Sequence, residues 1–515
     1  MKEIAWDIEI KKNSFPFDVS EFKVVQTHIS WVFITPELVY KIKKPVNFGF
    51  LDFTTLEKRK FFCEKEVELN RRLCPDLYLG VVPIVKIGEE FFFEKDGEVV
   101  EYAVKMKRLP EEGMMQELLR KNQIEKPHID LINEVLVPFY KKARADEKVA
   151  EYGKIEVVSY NTEENFSQTK DFVGIAISQE KYDFIVSYTR NFIKENQELF
   201  EKRIKEGFIK EGHGDLYSAN ICFDDLKKVY IFDCIEFNER FRCGDVASEI
   251  AFLSMDLDYY GLFDLSNYFV ETYIEKSQDF ELKKLLDFYK CYRAYVRGKI
   301  GCFTWAGLQD EKEKEKMLES ARKYFDLAYF YAGGTPRVII FFGLPGTGKS
   351  FLANKLLKNF PAVYIASDVV RKRLLNLDPS KHYYAEFEKG IYSPEMTDKT
   401  YKKMCELAKK ELLSGRDVIL DATFRDRKYR ELLKEELKNI RCEIYWVWCV
   451  AEDEVVKERI EKRKQEETPS DALWEIYLSH KQKFEEPQPD KRLLKLDTSA
   501  DSEVLLQKIL KFLKN

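Results

Sequence analysis

The stretch Val338-Ile339-Ile340-Phe341-Phe342-Gly343-Leu344-Pro345-Gly346-Thr347-Gly348-Lys349-Ser350 decides the reading of half the chain. Residues 338–342 are a short, unbroken apolar run, as a strand covered on both faces of a parallel sheet requires. The run stops at Gly343, and Gly348, Lys349 and Ser350 complete the pattern G-x-x-x-x-G-K-[ST]. Glycines let backbone N–H groups turn inward around phosphate oxygens with no Cβ in the way. The pattern expects Gly343, Gly346, Thr347 and Gly348 to cradle the phosphates of ATP or GTP. Lys349 would reach the β- and γ-phosphates, and the Ser350 hydroxyl would take a place on Mg²⁺. Residues 351–360 carry Leu352, Leu356 and Leu357 at helical spacing, and the N-terminus of that helix would face the phosphates.

Downstream, residues 362–368 read as a second strand ending in Ser367-Asp368, with Arg371 three residues on. A strand-end Asp beside a phosphate loop can take a proton from an acceptor hydroxyl, and an arginine can clamp substrate phosphate. Residues 418–424 give a third strand ending in Asp421, suited to hold Mg²⁺ through water, and 444–450 a fourth. A charged helix follows with Arg459 and Arg463 on one face, suited to a lid over the phosphates; Arg427 and Arg430 are alternatives. A last strand at 493–496 and a closing helix at 503–513 complete an alternation that predicts a doubly wound parallel sheet over residues 333–515. The segment resembles small P-loop kinases of the polynucleotide kinase, gluconate kinase and zeta-toxin type, and S-D-x-x-R with D-A-T looks most like the polynucleotide kinase relatives. The resemblance implies Asp368 as base, Arg371 as acceptor binder, Asp421 as metal-site carboxylate and Arg459 or Arg463 as lid arginine.

The first half has a different pattern. Residues 24–27, 31–35 and 38–42 are β-rich, and period 2 puts Val39, Lys41 and Lys43 on one face. A helical stretch after Thr54 holds Glu57, Glu64, Glu66 and Glu68, and strands at 81–85, 90–93 and 99–106 complete a small sheet. Helices are expected at 129–148 and 180–205. Then comes His213-Gly214-Asp215-Leu216-Tyr217-Ser218-Ala219-Asn220, with Asp and Asn five residues apart, and an apolar strand at 229–232 that delivers Asp233. In the spacing H-x-D-x-x-x-x-N the Asp accepts the proton of a substrate hydroxyl, while the Asn and a strand-end Asp hold a metal ion.

These residues resemble the aminoglycoside phosphotransferase family over roughly residues 20–330, and G-D-V-A-S-E-I-A around Asp245 matches the segment after that family's metal-binding Asp. The resemblance implies a two-lobed, protein-kinase-like fold, with a small lobe at about 1–107 and a large helical lobe at about 108–332. It implies Asp215 as base, Asn220 and Asp233 as Mg²⁺ ligands, Lys41 as phosphate-binding lysine and Glu66 as its partner, with Lys43 and Glu64 as alternatives. Tyr217 stands where the family usually carries His. Thr27-His28-Ile29-Ser30 stands in place of a glycine-rich loop, and its hydroxyls and backbone are expected over the phosphates.

The fold class expected is α/β and α+β. A protein-kinase-like domain at 1–332 is joined through Ala332-Gly333-Gly334-Thr335-Pro336 to a P-loop kinase domain at 333–515. Charges nearly cancel, 85 basic against 90 acidic for a net −5, so no overall basic field advertises nucleic acid. Ten scattered cysteines form no C-x-x-C pair, and no apolar run approaches membrane-spanning length, so the chain reads as cytoplasmic. The function expected is two transfers of the γ-phosphoryl of ATP to a hydroxyl acceptor, a small molecule or a nucleic-acid end. Two alternatives stay open: one active P-loop kinase with a binding-only first half, and an ATP-hydrolysing switch with a partner-binding module. Arg293 and Arg297, four apart on an aromatic-rich helix, share a face and either meet an anionic substrate or pair with acids.

Overall fold

The computed structural model describes residues 8–358, 360, 362–379, 383, 390–463 and 474–513, with the Arg463 side chain outside them. Contacts divide the chain into two compact units, Met1–Ile175 with Ile185–Met317, and Ala176–Phe184 with Leu318–Asn515.

The first unit opens with strands β1 (Lys23–Gln26), β2 (Ser30–Ile34) and β3 (Leu38–Lys43), helix α1 (Leu56–Asn70), and strands β4 (Tyr78–Ile87), β5 (Glu90–Phe93) and β6 (Glu98–Lys107). The strands form an antiparallel sheet in the order β1-β2-β3-β6-β4-β5. One face buries Phe15, Phe33, Tyr40, Ile42, Ile84 and Phe93; Cys63 and Val67 of α1 pack with Tyr78 and Val104. In the turn at Thr27–Ser30 the exposed Thr27 hydroxyl accepts from the Ser30 N–H at 2.9 Å, and Ser30 is buried.

Helices dominate the rest of the unit, around a core drawn from Lys126–Lys142, Val246–Tyr259, Phe263–Ser277 and Leu282–Gly307. Two expected helices are shorter than their patterns. The first ends at Lys142, where Ala143 turns extended. The second is two helices, Gln179–Glu195 and Gln197–Lys205, because Asn196 leaves helical geometry and its side chain donates to the Phe192 carbonyl at 2.9 Å. Two small ribbons stand among the helices: β7 (Ile209–Glu211) pairs with β10 (Cys243–Asp245), and β8 (Ile221–Asp224) pairs with β9 (Lys228–Ile231). The loop from β7 to β8 carries Asp215 and Asn220, and Asp233 follows β9 after Phe232.

The second unit holds β11 (Arg337–Phe342), β12 (Val363–Ala366), β13 (Val418–Asp421), β14 (Glu443–Val450) and β15 (Leu493–Asp497), in the order β12-β13-β11-β14-β15. Every pairing is parallel. Alternation on β11 explains its continuous apolarity: Val338, Ile340 and Phe342 enter one core, Ile339 and Phe341 the other. The second strand stops at Ala366 and Ser367–Leu374 is helical, so Asp368 sits in a first helical turn and not at a strand end. The charged helix before the glycines runs Glu311–Tyr331.

Ile340 is fully buried, so Ile340→Ala should cost about 2–5 kcal/mol and lower the denaturant midpoint with little change in slope. An unchanged midpoint would contradict a strand covered on both faces.

Candidate active sites

In the first unit a lysine and two carboxylates meet from three separate elements. The Lys41 ammonium of β3 lies 2.9 Å from Glu66 Oε1 of α1 and 2.5 Å from Asp233 Oδ1. Lys43, two residues on and on the same face, lies 2.7 Å from Glu66 Oε2 and pairs also with Glu236. Helix phase settles which glutamate faces inward: Glu66 is fully buried, whereas Glu64 is exposed beside Lys60. Burial opposes the Lys41 charge, but Asp233, Glu66 and Glu236 outweigh it and hold the ammonium well above its ordinary range. Burial likewise opposes ionisation of Asp233, and Lys41 overrides it and keeps that carboxyl low. Asp233 adopts a left-handed φ of 61°, and its side chain keeps 44% exposure, so a ligand can reach it.

Across from this cluster, Asn220 Nδ2 donates to the Asp215 carbonyl at 2.9 Å and to Asp215 Oδ2 at 3.0 Å. The loop is fixed from beneath. Glu249 Oε2 accepts the His213 N–H at 2.8 Å, and Glu249 Oε1 the Gly214 N–H at 3.1 Å. His213 Nε2 bonds the Phe232 carbonyl at 2.8 Å, while its Nδ1 receives the Asp215 N–H at 3.2 Å. A carbonyl only accepts, so the imidazole is neutral with its proton on Nε2, in keeping with burial that holds it below its usual range. Gly214 has φ +88°, and a Cβ there would lie 2.8 Å from the Phe241 carbonyl. Burial raises the Asp215 carboxyl while Arg297 and His213 pull it down. A carboxylate so held can accept a hydroxyl proton. Asp245 does other work: with Asp279 it takes up the fully buried Arg203, and it caps the helix Val246–Tyr259.

In the second unit the β11 register places Phe341 beside Asp421, which puts the end of β13 next to the phosphate loop. Gly343, Gly346 and Gly348 have φ of 137°, 79° and 80°. A Cβ would lie 2.2 Å from the Cys449 carbonyl at Gly343 and 2.8 Å from Val456 at Gly346, so both positions require glycine. Thr347 Oγ1 donates to the Leu344 carbonyl at 2.7 Å, and Lys349 Nζ reaches the same carbonyl at 2.9 Å. Asp368 and Arg371 pair at 2.7 Å, with the Arg371 guanidinium 4.6 Å over the Tyr392 ring. Arg459 donates to Thr498 Oγ1 and O at 2.9 and 2.8 Å, and the Thr498 hydroxyl donates to the Thr347 carbonyl at 2.9 Å. Arg463 ends its helix, and its side chain lies outside the described residues. Arg430 is buried on the carbonyls of Phe424 and Glu485, which removes it from any lid.

Two groups at these sites carry no sequence motif. Tyr364 of β12 donates to Asp421 Oδ2 at 2.6 Å and bonds Ser350, linking the serine and carboxylate expected around Mg²⁺. Burial drives His480 down to about 3, and Arg425, Lys349 and Arg371 push the same way. Each arises from contacts between residues distant in sequence, which periodicity does not report. Among the described residues no three His, Cys, Asp or Glu side chains form a metal cage. Each site instead offers two hard oxygen donors, Asn220 and Asp233 in one and Ser350 and Asp421 in the other, a set that fits Mg²⁺ shared with phosphate oxygens.

A family model described as "AAA domain" matches residues 338–487. Over 440 residues the chain is 30% identical to "Uncharacterized protein Rv2004c" of Mycobacterium tuberculosis (strain ATCC 25618 / H37Rv), covering 85% of this chain and 86% of that one. "Uncharacterized protein Mb2027c" of Mycobacterium bovis matches to the same extent. The chain belongs to the same family as these mycobacterial proteins. Among solved structures, a sugar kinase from Janibacter sp. HTCC2649 is 18% identical, with 35% of this chain and 95% of that one covered, at a TM-score of 0.27. A gluconokinase from Sinorhizobium meliloti 1021 is 16% identical, covering 35% and 91%, at 0.26. The second unit of this family member is a P-loop domain on a parallel sheet. Among the described residues no helix is long and apolar enough to cross a membrane.

Removing one partner from a buried charge cluster leaves the others uncompensated. Glu66→Ala should therefore destabilise the chain by about 3–5 kcal/mol, read from equilibrium unfolding, whereas the exposed Glu64→Ala should leave stability within about 0.5 kcal/mol of wild type. Equal effects would contradict the assignment of Glu66 to the cluster.

Proposed function

We propose that each unit is an ATP-dependent phosphotransferase that moves the γ-phosphoryl group to a hydroxyl acceptor, and that the first unit is protein-kinase-like in fold. The observation that carries this is that each unit gathers a lysine, carboxylates and further oxygen donors from elements far apart in sequence. In the first unit Lys41, held by Glu66, binds the α- and β-phosphates once it exchanges Asp233 for nucleotide. Asp215 accepts the acceptor proton, positioned by Asn220 and by the loop that Glu249 and His213 fix. In the second unit the glycine loop, Thr347, Lys349 and Ser350 hold the phosphates. Asp368 accepts the acceptor proton, Arg371 orients the acceptor, and Arg459 sits at the phosphate loop as the lid cation. Bound Mg²⁺ would neutralise phosphate charge at both sites. Asn220 with Asp233, and Ser350 with Asp421, would hold it.

The test uses γ-labelled ATP with Mg²⁺, wild type, Lys349→Ala and Asp215→Ala, and a panel of sugars, nucleosides, aminoglycosides and 5′-hydroxyl oligonucleotides. Each variant should abolish labelling of one acceptor class by about 100-fold or more and spare the other, and chelation should abolish both. Label released only as free phosphate under every acceptor would contradict the proposal and favour an ATP-driven switch.

A further inference from the structure

We propose that Arg297 is a further catalytic residue of the first unit's site: its guanidinium, seated on the Tyr217 ring, neutralises the phosphoryl group as it passes to the acceptor at Asp215. The inference rests on reading that site as a phosphotransferase.

Arg293 and Arg297 stand one turn apart on the helix Leu282–Gly307 and clasp two rings between them. The Arg293 guanidinium lies 4.7 Å from the centre of the Phe252 ring. Phe252 stacks on Tyr217 at 5.5 Å with 8° between the planes, and the Arg297 guanidinium lies 4.6 Å from the Tyr217 ring centre. The two arginines have different further duties. Arg293 donates to the Gly214 carbonyl at 3.0 Å, to Ser248 Oγ at 3.1 Å and to Glu249 at 3.1 Å, so it holds the loop. Arg297 instead lies over Tyr217, two residues along the loop from Asp215.

A guanidinium lying on a ring directs its N–H groups outward in its own plane, the arrangement that meets phosphate oxygens in pairs. Tyr217 is two residues from Asp215, so its ring fixes the cation relative to the base through the loop itself. In the transfer, the acceptor oxygen–phosphorus bond forms as the bond from the γ-phosphorus to the bridging oxygen breaks. The hydroxyl proton goes to Asp215, the nucleoside diphosphate leaves, and Arg297 keeps its protons throughout. Its charge counts most where negative charge spreads over the transferring oxygens, so its removal should act on turnover and not on nucleotide binding.

The test uses the full chain in a Lys349→Ala background with γ-labelled ATP, Mg²⁺ and the same acceptor panel. Arg297→Met should lower the Asp215-dependent kcat about 100-fold or more and leave the KM for ATP within about twofold. Arg297→Lys should recover part of the loss, and millimolar guanidinium should restore part of the rate of Arg297→Ala. Tyr217→Phe, which keeps the ring, should retain activity that Tyr217→Leu loses, and this pair decides the matter if the Arg297 variants fail to fold. Asp215-dependent transfer that Arg297→Met leaves intact, or that shows only a raised KM for anionic acceptors, overturns the assignment alone. The absence of any Asp215-dependent transfer overturns the underlying reading and this assignment with it.

Discussion

A charge removed from water must be met by a partner, and that constraint fixes the first unit's site. Glu66 is fully buried on α1, and its two oxygens are taken by Lys41 and Lys43 of β3. The strand and the helix are thereby locked in register, and Glu236 and Asp233 draw the segment after β9 onto the same cluster. Such a network adds little net stability once desolvation is counted, but it penalises every arrangement that leaves one member alone. The same logic recurs below the loop. Glu249, buried and facing the His213 and Gly214 N–H groups, Tyr140 and Arg293, sets the backbone that presents Asp215. Arg203 with Asp245 and Asp279 anchors the helix that carries Glu249.

The second unit solves its problem with backbone in place of buried charge. Its loop packs so closely that a Cβ at Gly343 would lie 2.2 Å from the Cys449 carbonyl. The glycines thus serve the fold as well as a phosphate. Thr498, at the end of β15, ties the loop to the far side of the sheet through the Thr347 carbonyl. Arg459 bonds the same threonine, so that arginine and the loop share one anchor.

Legibility in the sequence followed the range of the interactions. The phosphate loop and the Asp215–Asn220 spacing are local, and a local pattern carries them. The parallel sheet was legible because a strand covered on both faces must be apolar at every position, as β11 is. Strand ends were less so. Ser367-Asp368 reads as the tip of a strand, yet the helix takes both residues, because a short polar segment after a strand fits either state. The choice between Glu64 and Glu66 depends on helix phase, which a helix of mixed charge does not advertise. Tyr364 and His480 had no signal at all, since an isolated tyrosine on a strand or histidine on a helix gains meaning only from partners folded against it. Arg297 falls between. Its four-residue spacing from Arg293 was visible, but the ring beneath it was not.

The central claim is that one chain carries two nucleotide sites of unrelated architecture. Calorimetric titration with a non-hydrolysable ATP analogue and Mg²⁺ measures it most directly. The account predicts two equivalents bound per chain, falling to one in Lys349→Ala and to a different one in Lys41→Ala. A single equivalent in the wild type, lost entirely in Lys349→Ala, would contradict it.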